Sequence, residues 1–327
     1  MWLKRYSNFL LEHPIVTLGV VFAITFVPVI GMIGILIAAF ITLQKSIVEG
    51  AILTVAASLP YVISFLLAGN PQPEIPLVVW AAVGVAVISN VLTWVFAVML
   101  QRQASWSLIL QVAALVGVLV ISVVHLAYPA IADWWGGQLL AYYNQAKSVT
   151  SALKSSAMNG VAAVSGVATD ASANSVDVQV EAINVTKQYA TGIMAMAILF
   201  NAILQLLVAR WWQAVLFIPG SLRKELLNIR LSRLAGILFA VSMVLSYLGN
   251  SVVLDIMPVV YMLFGAAGLS LAHYLLSKMT AGSSTTWFWL ALLYVALLVG
   301  APTSILMISL LALFDIGFDL RKRLRKI

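Results

Sequence analysis

The chain contains no cysteine, which excludes disulfides, thiol nucleophiles and cysteine-ligated zinc or iron–sulfur centres. Charge is almost as scarce. Only 9% of its 327 residues are Asp, Glu, Lys or Arg, against about a quarter in a soluble domain. Acidic residues number 11 against 18 basic ones, and there are three histidines. A GxxxxGK[ST] phosphate loop and an HExxH zinc motif are missing, and no span has paired carboxylates at its centre. No serine has a convincing His or Lys partner. These absences speak against an enzyme and leave no cofactor or metal to assign.

Apolar residues make up 63% of the chain, and the mean hydropathy is +1.05. So little polar surface cannot face water all round, so the sequence reads as a polytopic membrane protein. The net charge of +7 sits in short connections between apolar runs, the pattern of membrane orientation rather than nucleic-acid binding. Lys4, Arg5, Glu12, His13 and Pro14 precede the first run. That run lacks a clean cleavage site, so the segment is expected to be retained rather than removed as a signal peptide.

Apolar runs occur at 15–43, 46–69, 76–100, 106–128, 188–214, 233–249, 252–277 and 285–317. The first contains Pro28, Gly31 and Gly34, the last Gly300, Pro302 and Thr303. Each exceeds the roughly 20 residues of one span and reads either as one long tilted helix or as a short, re-entrant hairpin. Hairpins at both ends place both termini in the cytoplasm. Of the 18 basic residues, only Lys147, Lys154 and Lys187 then lie outside, as the positive-inside rule favours. The expected architecture is all-α, a polytopic transmembrane bundle of about 8–10 membrane segments. It divides into N-terminal membrane helices (1–128), an extracytoplasmic insertion (129–187) and C-terminal membrane helices with a basic tail (188–327).

The insertion opens on Asp133, Trp134 and Trp135 and then becomes rich in Ala, Ser, Val and Asn. Val161, Val164, Ala168 and Ala171 follow helical spacing. Val176, Val178 and Val180 alternate with polar residues, as a strand or a helix start would. The segment reads either as a partly ordered loop or helical hairpin on the membrane, or as a partner-binding lid.

Polar side chains inside apolar runs are costly and usually face protein or a water-filled cavity. Asn90, Gln111, His125, Asn201 and Gln205 are the candidates for ligand contact, since amides offer donors and acceptors suited to a neutral or zwitterionic solute. Interhelical bonding is the competing reading for each. Glu49 stands four residues after Lys45, the spacing of a helical ion pair. Asp255, beside Asn250 and Ser251, is expected in a solvated external loop. The tail Arg321–Lys326 is expected to meet anionic lipid headgroups at the cytoplasmic face, with Asp315 and Asp319 pairing to it.

The densest cluster lies at 188–233. Arg210, Trp211, Trp212 and Gln213 end an apolar helix. Pro219-Gly220 breaks it, and Arg223, Glu225, Arg230 and Arg233 follow. Trp at a membrane surface with Arg beyond it reads as an interfacial anchor, or as a docking surface for lipid or a cytoplasmic protein. The stretch Thr191-Gly192, Ala209–Ala214, Pro219-Gly220, Arg223–Leu226 and Arg230–Arg233 resembles the bacterial YybS-like family of multi-spanning membrane proteins, which is distantly similar to the S-components of energy-coupling-factor transporters. The resemblance implies an S-component-like, solute-binding bundle in the bacterial inner membrane, energised by a cytoplasmic ATPase module. The functional expectation is a transporter-like protein that binds or moves a small molecule. The alternative is a non-transporting scaffold or assembly factor that binds protein partners through 129–187 or 216–233.

Overall fold

The structure is a computed structural model and describes residues 2–27, 30–67, 76–158, 180–279 and 285–324. Among the described residues all regular structure is helical, the form that satisfies every backbone N–H and C=O within one segment in hydrocarbon. The helices are α1 (Trp2–Glu12), α2 (Pro14–Thr25), α3 (Met32–Gln44), α4 (Ile47–Leu67), α5 (Pro76–Gln101), α6 (Trp106–Ala127) and α7 (Ile131–Met158). After them come α8 (Ala190–Phe217), α9 (Ser221–Leu227), α10 (Arg233–Tyr247), α11 (Ser251–Met279), α12 (Thr286–Val299), α13 (Ala301–Phe318) and α14 (Leu320–Leu324).

Among the described residues, five helices are long and apolar enough to cross a membrane: Ile47–Leu67, Ala82–Gln101, Trp106–Ala127, Val180–Phe217 and Ser251–Lys278. The pair α1 and α2, bent by 110°, makes a sixth if it is counted as one span. Met32–Gln44, Arg233–Tyr247, Thr286–Val299 and Thr303–Phe318 are apolar but shorter. At about 1.5 Å per residue they reach roughly 20–25 Å, less than the ~30 Å hydrocarbon core. The run 15–43 is two helices rather than one, with Pro28 outside the described residues. The last run breaks at Gly300, whose φ of −103° and ψ of 32° leave the helical basin.

The chain divides into two compact units. The first comprises Met1–Leu115, Met196–Phe239 and Val260–Ile327. Its core gathers Leu10, Val21, Ile35, Phe40, Ile41 and Leu53 from α1 to α4. α1 buries Ser7 and Leu10, one turn apart, and leaves Lys4, Arg5, Asn8 and Glu12 exposed. Trp212 of α8 holds it there. The indole donates to the Ser7 hydroxyl at 2.9 Å and stacks on Phe40, centroid to centroid 4.8 Å. α3 and α4 meet closely at Gly50, where a Cβ would come within 1.8 Å of the Thr42 hydroxyl. Thr42 and Thr54 hide their hydroxyls by donating to carbonyls one turn back, each at 2.8 Å. The Lys45–Glu49 ion pair closes at 2.9 Å as its spacing predicts.

The second unit comprises Val116–Ala195 and Ala240–Val259. α7 occupies the first half of the insertion as one helix of 28 residues. Its Ala, Gly and Ser content conceals a helical period, although Ala is the strongest helix former. Val161, Val164, Ala168, Ala171, Val176 and Val178 lie outside the described residues. Val180 begins a helix that runs through a 3-10 turn, Lys187–Tyr189, into α8. The expectation that Asp255 is solvated in a loop is overturned: it lies within α11 and is 2% exposed. Its partners, described below, come from two distant helices.

Candidate functional site

The aromatic–basic cluster builds the main polar site, inside the first unit. Arg210, on the last turns of α8, pairs with Glu225 of α9 through two nitrogens. Its third nitrogen bonds the Gln213 carbonyl. Trp106, at the start of α6, donates its indole N–H to the same Glu225 carboxylate at 3.0 Å. Gln213 is 7% exposed; its amide donates to the Leu43 carbonyl at 3.1 Å and to Gln44 at 2.8 Å. Burial pushes the Glu225 carboxyl up, but the bonds from Arg210 and Trp106 and the Arg210 charge outweigh it and hold the group below its ordinary value.

These groups line a cleft of about 420 Å³, together with Leu43, Gln101, Ser107 and Asn228. The Arg210–Glu225 pair cancels its own charge, so the cleft offers donors and acceptors without net charge. One acceptor among the lining residues is unpaired. The Gln101 side-chain oxygen is buried with no hydrogen-bond partner among the described residues, an arrangement that costs about 1–3 kcal/mol until a donor reaches it.

A second network fastens the adjoining loop. Arg230 pairs with Asp319 and lies 3.8 Å from Asp315. Arg321 is 7% exposed, pairs with Asp315 at 3.2 Å and donates to the Leu227 and Ile229 carbonyls. The first arginine of the basic tail therefore points inward. Bonds from Arg230 and Lys322 hold the Asp319 carboxyl below its ordinary value. Trp211, Arg223 and Arg233 are exposed, so the expected docking residues separate into an inward group and an outward group.

Of the five amide and imidazole candidates, three gather around α5. Asn90 donates to the Ala57 carbonyl at 3.3 Å and to Ser58 at 3.2 Å, tying α5 to α4. Asn201 donates to the Ser89 hydroxyl at 2.7 Å, and Thr93 donates to Gln205 at 2.6 Å, tying α5 to α8. Gln111 stands apart. Its amide donates to Ser107 and its carbonyl accepts from Ser232 at 2.8 Å.

His125 belongs to the second unit, where it meets Asp255 at 2.8 Å. The other carboxylate oxygen accepts the Gly192 N–H at 2.6 Å. Gly192 cannot be replaced in place, because a Cβ would stand 1.6 Å from the Asp255 backbone oxygen. Beside it, Trp135 donates to Thr191 at 3.0 Å and Lys187 pairs with Asp133 at 3.0 Å. Sequence reasoning missed the His125–Asp255 pair, although an ionisable residue inside the 252–277 run was a signal for a buried partner. It also missed Trp106 and Gln101 as cleft residues, for which no local pattern existed.

Fold and geometry define the class: an all-α protein whose long apolar helices suit a membrane, with a half-buried ionic cleft. Comparison with protein-family models, curated proteins and solved structures finds no match.

Proposed function

We propose that this chain is a YybS-like, S-component-like protein of the bacterial inner membrane that binds, and in a transport cycle moves, a small polar solute. The five long helices and the bent pair support a membrane-embedded bundle; with the four shorter apolar helices taken as partial or re-entrant segments, the proposed topology has ten membrane segments and both termini in the cytoplasm. The observation that carries the solute reading is the cleft of about 420 Å³ beside Arg210, Gln213 and Glu225, with the buried, unpaired Gln101 oxygen among its lining residues. A compensated ion pair flanked by amides suits a neutral or zwitterionic molecule bearing a hydrogen-bond donor. The five intramembrane candidates then serve mainly as ties between helices.

Native mass spectrometry of gently purified protein tests this reading. A bound polar molecule is expected, and Gln101→Leu should lower its retention about tenfold, the value of one hydrogen bond of about 1.4 kcal/mol. Retention of no small molecule, or equal retention by the variant, counts against the reading. The scaffold alternative rests on the exposed Arg223, Lys224 and Arg233. It predicts a co-purifying protein in the same spectrum, released when those three charges are neutralised.

A further inference from the structure

Asn201 is exposed although it lies on one of the five long apolar helices. It stands ten residues before Trp211, about 15 Å along the helix axis. If Trp211 marks the membrane surface, that depth is the midplane of a hydrocarbon core about 30 Å thick. Around it the exposed side chains are apolar: Phe200, Leu204 and Val208 on α8, and Ile88 and Val91 on α5. One Asn201 N–H is used on Ser89. The carbonyl and the second N–H have no hydrogen bond among the described residues. Lipid tails supply neither donor nor acceptor, so an outward amide at this depth remains unsatisfied unless protein covers it.

We propose that the α5–α8 face around Asn201 is a homodimer interface, in which the amide bonds Asn201 of a second copy across a two-fold axis. The amide is self-complementary: its N–H reaches the carbonyl of the copy while its own carbonyl accepts in return. A two-fold axis makes both bonds at once from one residue type. No other charged or polar side chain interrupts the exposed stripe of Phe200, Leu204 and Val208, so a second identical stripe packs against it by dispersion alone. This interface lies on the outside of the first unit and does not depend on the solute reading.

The cysteine-free chain allows a direct test in native membranes. Single variants Leu204→Cys and Val208→Cys should form disulfide-linked dimers on mild oxidation, while Ile237→Cys, more exposed than either but on α10, should not. Adding Asn201→Leu should reduce the cross-linked fraction about tenfold. Ser89→Ala, which removes only the internal partner, should leave the dimer in place. Equal yields at 204, 208 and 237, or no effect of Asn201→Leu, overturn the proposal. So does cross-linking only to a protein of another mass. Rapid reaction of Asn201→Cys with a water-soluble maleimide also overturns it, because the amide would then face an aqueous cavity. The 204 and 208 variants keep the test decisive even where Asn201→Leu folds poorly.

Discussion

At the scale of single residues, the buried His125–Asp255 pair dominates the second unit. Its side chains are 10% and 3% exposed, and the carboxylate is bonded at both oxygens. Removing one partner of such a pair is worse than replacing both by apolar groups, because it leaves a buried polar atom without its hydrogen bond. His125→Ala should therefore destabilise the protein by about 1–3 kcal/mol. The double variant His125→Leu with Asp255→Leu should be closer to wild type. Thermal unfolding in detergent, read for both variants together, checks this; a double variant worse than the single one would reject the account.

At the scale of elements, α9 is placed by side chains rather than by its own propensity. Seven residues are too few for an independent helix in water. Glu225 fixes it to α8 through Arg210 and to α6 through Trp106. The folded-state carboxyl lies below its ordinary value. The sign follows: the stabilisation is fully present above the unfolded value of about 4.3 and is lost as pH falls through the lower folded value. The stability difference between wild type and Glu225→Gln should thus be constant near neutrality and shrink below about pH 4. Chemical denaturation of both proteins across that range reads it. A difference that grows on acidification would show the opposite shift.

At the scale of the whole molecule, the proposed topology makes separate surfaces accessible from opposite sides of the membrane. Tyr142 on α7, Arg223 on α9 and Lys322 on α14 are all exposed. With single cysteines at these positions, a membrane-impermeant maleimide should label 142 on intact cells and label 223 and 322 only after the membrane is opened. Labelling of 223 from outside would invert the orientation or alter the number of crossings.

Composition and periodicity alone determined the membrane class, the all-α build and the Lys45–Glu49 pair. They also marked the breaks in both end runs. Each of these depends on neighbours within a few turns or on the requirement that backbone groups in hydrocarbon bond within their own segment. Tertiary structure decided the rest. It turned Trp212 inward to Ser7 and left Trp211 outward, although the two tryptophans are adjacent and chemically identical. It brought Glu225 to Trp106, 119 residues away, and Asp255 to His125, 130 residues away. Such partnerships are set by which helix faces meet when the core packs, and packing acts on distance in space rather than on separation along the chain.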